Sequence, residues 1–155
     1  MLELKKILVP TDFSEFSKHS VNYAYQFAKR FDAELHLLNV VEDIYPIVPE
    51  PGTPAPISGE YLSGLKESSE RMIQQFPTED WASDLSVVRS VISGTPFLEI
   101  IRYARTEKID MIVIGTHGRS GLIHALMGSV VEKVVRKSPC PVLTVRPEGH
   151  DFVMP

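Results

Sequence analysis

Between residues 115 and 129 the chain reads GTHGRSGLIHALMGS, with glycines at 115, 118 and 128 in this spacing and a serine directly after the last. Glycine admits backbone conformations closed to other residues and lets a ligand approach the main chain with no Cβ in the way. Successive N–H groups in such a segment can converge on an anion. Val130, Val131, Val134 and Val135 follow at helical spacing, so Gly128-Ser129 opens a helix. The first N–H groups of a helix lack partners within it, and its dipole favours negative charge there. Ser129 adds a hydroxyl, and Arg119 adds a fixed positive charge with a bidentate fork. Together these residues could hold phosphate oxygens. The plainer alternative is that Gly115 and Gly118 turn the chain and Gly128-Ser129 caps a helix. A buried strand before the segment, a helix after it, and an arginine and a hydroxyl between favour the phosphate site.

Other reactive residues are few. His117 and His124 have no carboxylate or second histidine at ligand spacing, so no metal site is expected. No Asp or Glu occurs from Gly115 to Gly128, which leaves the loop without a general base and argues against efficient hydrolysis. Water activation by Asp12 or His117 is the alternative. Cys140, the one cysteine, lies between Pro139 and Pro141 and reads as a packing residue. The chain lacks G-x4-GK[ST], so a P-loop is excluded, and no G-x-G-x-x-G follows its first strand, which argues against the usual dinucleotide fold.

The elements that must position this chemistry are legible from periodicity. Ile7, Leu8 and Val9 form a continuous apolar run ending at Pro10, the pattern of a strand covered on both faces. Asp12 and Ser14 are turn and N-cap candidates, and Val21, Ala24, Tyr25, Ala28 and Phe31 place an amphipathic helix over residues 14–31. A second strand spans 34–41. Residues 43–58 hold Pro46, Pro49, Pro51, Pro54 and Pro56 and read as an extended surface loop. A polar helix is expected over 59–76, with Leu62, Leu65, Met72 and Ile73 inward. Leu85, Val87, Val88 and Val91 mark a third strand. Gly94-Thr95-Pro96 then turns into a helix, with Thr95 as cap, Pro96 in first position and Glu99 placed to close a capping box. The fourth strand is 111–114 and the last 142–145. Strands alternating with helices in this way make an α/β domain with a mainly parallel sheet.

Composition excludes little but points one way. The 155 residues carry 43% hydrophobic and 23% charged side chains with a formal net charge of -4, and basic residues never form a run, so neither nucleic acid nor an anionic membrane is an expected partner. No stretch approaches the roughly 18 apolar residues of a membrane span, and the N-terminus lacks the form of a signal peptide, so the cytoplasm is the expected location.

The spacing Gly115-x2-Gly118-x9-Gly128-Ser129, with ILVPTDFS at 7–14 and SPCPVLTVRP at 138–147, resembles the universal stress protein family. The likeness runs from Lys5 to Pro147. It implies one domain over 1–147; residues 148–155 show no pattern and read as a disordered tail. It further implies an open five-stranded parallel sheet of order 3-2-1-4-5 with helices on both faces, as in the family's ATP-binding branch. In that order the first and fourth strands are neighbours at a topological switch point, where ligands of open α/β sheets bind. By the family pattern Asp12 takes the ribose or adenine side, with Pro10 and Thr11 lining it; capping the first helix is its alternative role. The backbone of Val40 pairs with adenine, the alternative being core packing. Gly115, Gly118, Arg119, Gly128, Ser129 and Val130 hold the phosphates, and magnesium arrives with ATP, held by phosphate oxygens and water. The last strand would be an apolar edge, which implies a homodimer through 142–145. The implied function is an ATP-binding regulator that senses nucleotide. A slow ATPase or nucleotide-cleaving enzyme and an ATP-free protein-interaction module are the alternatives.

Overall fold

The computed structural model describes residues 3–43, 59–77, 84–116 and 128–146. The chain alternates β1 (Lys6–Pro10), α1 (Glu15–Phe31), β2 (Glu34–Glu42), α2 (Gly59–Gln74), β3 (Val87–Gly94), α3 (Pro96–Thr106), β4 (Met111–Gly115), α4 (Ser129–Lys137) and β5 (Val142–Val145). The strands form a single sheet of order β3-β2-β1-β4-β5, parallel throughout.

The continuous apolar runs follow from double coverage. Successive side chains of a strand point to opposite faces. Ile7 and Val9 pack with Val21, Ala24 and Ala28 of α1 and Ile73 of α2. Leu8, between them, packs on the other face with Leu38, Ile112 and Ile114, beneath Ile100 and Ala104 of α3 and Val131 and Val134 of α4. A helix pair thus lies on each face, and a strand with no wet side, such as β1, reads as a continuous apolar run.

Met72, expected inward, is corrected, and two further members of the apolar helical patterns also lie at the helix margins. Phe31, Met72 and Val135 are exposed, because in each helix the buried stripe is narrower than the apolar pattern. The turn before α3 holds a further correction. Thr95 occupies the N-cap position but makes no side-chain cap bond, and Pro96 follows it at the first position. Counting from Thr95, the capping-box position falls on Leu98, so Glu99 is one residue too far on. Glu99 instead pairs with Arg102 and packs against Gly94. At φ +148, with Glu99 Cγ only 2.8 Å from where a Cβ would lie, position 94 admits only glycine.

At the amino end of the sheet His36 is fully buried. Its Nδ1 meets the Tyr103 hydroxyl at 2.9 Å, and its Nε2–H donates to Glu34 Oε1 at 2.9 Å. That hydrogen bond holds the Glu34 carboxyl below its ordinary value, while burial pushes the Tyr103 phenol up. Cys140 is half-buried beside the α3–α4 core, and desolvation raises its thiol pKa, as befits a packing residue. No helix among the described residues is long and apolar enough to cross a membrane.

Candidate functional site

The direction in which successive strands are added to the sheet reverses between β1 and β4. The chain leaves β1 through α1 towards β2 and leaves β4 through α4 towards β5, so a crevice opens at the carboxyl ends of β1 and β4. A cleft of about 530 Å³ occupies it, within the range of small-molecule sites. Pro10, Thr11 and Asp12 line it from β1, residues 38–42 from β2, and Ile114 and Gly115 from β4. Gly128, Ser129, Val130 and Val131 close it from the start of α4, Pro96 and Ile100 from α3, Leu65 and Ser69 from α2, and Ser17 from α1.

Of the residues singled out in the sequence, Pro10, Thr11, Asp12, Val40, Gly115, Gly128, Ser129 and Val130 come together on this one cleft. Gly118 and Arg119 lie outside the described residues, as do His117, His124, residues 44–58 of the proline-rich stretch and the tail 148–155.

The first turns of α1, α3 and α4 all reach the cleft, and they differ in what their amides do. In α1 the N-cap is Ser14, whose Oγ accepts from Ser17 N–H at 3.3 Å. Asp12 stands one step behind: its Oδ1 accepts from Ser14 N–H at 3.0 Å and from the Ser14 hydroxyl. In α3 the first position is Pro96, which has no N–H. In α4 the N-cap is Gly128, which has no side chain to cap with. The first intrahelical bond of α4 is Glu132 N–H to the Gly128 carbonyl, 3.1 Å, so the amides of Ser129, Val130 and Val131 precede the ladder. Gly128 itself is held by its N–H bond to the Thr116 carbonyl, 3.0 Å, which ties the helix start to the end of β4.

Among the described residues nothing requires glycine at 128: its φ of -64 and ψ of 148 suit any residue, and an added Cβ would come no nearer than 3.6 Å to any of them. A missing side chain that the protein does not need leaves its space open on the cleft wall.

The β2 side offers a different chemistry. Main-chain groups of a strand in a sheet alternate between its two neighbours, and the bond from Thr11 N–H to the Leu38 carbonyl, 2.8 Å, turns Leu38 towards β1. Val40, two residues on, therefore turns its N–H and C=O the same way, but β1 ended at Pro10. Both groups face the cleft. Asn39, 6% exposed, sends its side-chain amide to the Thr11 carbonyl at 2.8 Å.

Asn39, Ser17, Leu65, Ser69, Pro96 and Ile100 were not anticipated as cleft residues. Asn39 carried a signal: it is polar within the run LHLLNVV, and a buried amide must find a partner. The others are ordinary helix residues that only the tertiary fold brings to the site. Among the described residues no group of three or more His, Cys, Asp or Glu could hold a metal ion.

The universal stress protein family model matches residues 3–146. The chain belongs to this family. It is 39% identical over 145 residues to universal stress protein MJ0531 of Methanocaldococcus jannaschii, covering 92% of this chain and 82% of that one. Universal stress protein MJ0577 of the same organism is 30% identical, over 92% of this chain and 94% of its own. The solved structure of MJ0577 superposes with a TM-score of 0.74, covering 96% of this universal stress protein and all of the other. A universal stress protein crystallised in complex with cAMP shares the fold at 24% identity, with a TM-score of 0.67 and coverage of 93% and 98%. The sheet order of this family member and its parallel strands agree with the order that the resemblance implied.

Proposed function

We propose that this universal stress protein binds an adenine nucleotide, ATP, along the cleft and acts as a nucleotide-sensing regulator. The observation that carries the reading is the opposed chemistry of the cleft's two sides. On one side stand the amides of α4 behind Gly128, which no side chain of the described residues caps; on the other stand the main-chain groups of Val40 and the Asp12 carboxylate. Phosphates belong with the first side, where Ser129 and Val130 supply N–H groups and Ser129 a hydroxyl. Gly115 lines that side, and Gly118 and Arg119 join it by the family pattern. The Asp12 carboxylate would repel phosphate and instead accepts from ribose hydroxyls, with Pro10 and Thr11 beside it. Adenine presents an acceptor ring nitrogen and a donor amino group, which complement the N–H and C=O of Val40.

A magnesium ion would come with the nucleotide, held by phosphate oxygens and water. Turnover is not the role this site supports. The loop from Gly115 to Gly128 has no carboxylate to activate water, and Asp12 is already engaged with Ser14. We further propose a cytoplasmic homodimer formed through β5, which ends the sheet with its outer edge unpaired among the described strands.

Mass spectrometry of nucleotide released from the purified protein, together with ATP titration, tests the reading. Bound adenine nucleotide, or saturable binding at or below millimolar ATP, is expected; neither appearing contradicts it. Incubation with ATP should yield ADP or AMP no faster than background. Sedimentation at micromolar concentration should show a dimer, and a monomer alone would sink that part.

A further inference from the structure

Two parallel strands are laced in rungs of two hydrogen bonds each. The rung at the Pro10 and Leu38 register is completed by Thr11 N–H donating to the Leu38 carbonyl. In the same register the next rung would join Val40 N–H to the Thr11 carbonyl, and Phe13 N–H to the Val40 carbonyl. Both partners are diverted. The Thr11 carbonyl accepts from Asn39 Nδ2 at 2.8 Å, and Phe13 N–H donates to Thr11 Oγ1 at 3.0 Å. Phe13 makes the second bond possible by turning into the left-handed region, φ 63, a conformation that is costly for an aromatic residue. The Thr11 hydroxyl is held in turn against Ser17 Oγ at 2.9 Å, and Ser17 is buried. The Asn39 amide has one sensible orientation, because reversing it would set its oxygen against the Thr11 carbonyl oxygen.

We infer that Asn39 and Thr11 form a ladder stop, which ends the β1–β2 pairing one rung early and thereby reserves the N–H and C=O of Val40 for a ligand's base. They are positioning residues: neither has to touch the base, but without them its partner would be consumed by the sheet. The identity of that base rests on the nucleotide reading above; the stop itself does not. A fixed N–H and C=O on one residue also has a direction. Adenine carries acceptor and amino donor along its pairing edge, and guanine carries donor and carbonyl acceptor in the reverse order. The stop therefore selects adenine over guanine.

Amide hydrogen exchange in the nucleotide-free protein reads the stop directly. Val40 N–H should exchange far faster than Leu38 N–H, which lies within the ladder. In Asn39→Ala, and in Asn39→Asp, which keeps the shape but cannot donate, the freed Thr11 carbonyl accepts Val40 N–H and that amide becomes protected. ATP affinity then falls about tenfold, the worth of one hydrogen bond, while inorganic triphosphate binds as before. The wild type should prefer ATP to GTP, and both variants should lose most of that preference. The inference is overturned if Val40 and Leu38 exchange alike in the wild type. It is equally overturned if the variants leave Val40 unprotected, or weaken ATP and triphosphate to the same degree. Should the variants fail to fold, the wild-type comparison of Val40 with Leu38 decides alone. Should the wild type bind no ATP, the nucleotide reading fails while the exchange data still judge the stop.

Discussion

Helices α1 and α4 start beyond the ends of two neighbouring strands, β1 and β4, and their first turns share one cleft, yet they handle their unpaired amides in opposite ways. α1 is closed by its own sequence: Ser14 caps it and Asp12 braces Ser14. α4 begins at a glycine that neither its backbone angles nor its packing against the described residues demands. A helix start that caps itself needs nothing further, whereas one that forgoes a cap costs the free protein a little stability and leaves donors for an anion. The contrast is what supports the proposal that phosphates lie at the α4 end of the cleft.

The sharpest way to break the contrast is to make α4 resemble α1. Gly128→Asp supplies a capping carboxylate where the phosphates should lie. ATP affinity should fall about a hundredfold or more, since repulsion replaces charge-assisted bonds, while the nucleotide-free protein gains a few tenths of a kcal/mol at most. Calorimetric titration and thermal melts check the opposite signs. Next in size, Asp12→Asn should reduce the preference for ATP over 2′-deoxyATP, by about tenfold if one charge-assisted bond to the ribose is lost. Ser14→Ala strips the cap from α1 and should cost about 1 kcal/mol of stability, or about 2–4 °C in Tm, with a smaller effect on ATP than either cleft variant. Denaturant and thermal unfolding measure it.

The smallest effect is expected at the far end of the sheet and serves as a control. The Glu34 carboxyl is held below its ordinary value of 4.5, first by the His36 hydrogen bond. A folded-state pKa lower than the unfolded one contributes stability above the unfolded value, and that contribution is lost as pH falls through the folded value. Glu34→Gln should therefore flatten the acid limb of the stability curve below about pH 4.5 by less than about 1 kcal/mol, because the carboxyl is partly solvated. ATP binding should not change.

Much of this was legible in the sequence because the signals are local. A strand buried on both faces reads as an unbroken apolar run, as Ile7 to Val9 does, and an amphipathic helix declares its inner face. The glycine spacing and its helix start were visible for the same reason. Which strands are neighbours is not a local property; the order came from the family resemblance and not from periodicity. Glu99 was misplaced because a capping box is sensitive to a shift of one residue. Asn39 gave no sign of lying on the cleft because its place there depends on where β1 stops, a property of the neighbouring strand and not of the run around it.

The most direct test of the account is a two-dimensional amide spectrum of the protein titrated in parallel with ATP, adenosine and inorganic triphosphate. ATP should shift Val40, Ser129 and Val130 together, adenosine Val40 without the α4 amides, and triphosphate the α4 amides without Val40. Unchanged spectra at millimolar ATP, or shifts confined to residues away from the cleft, would contradict it.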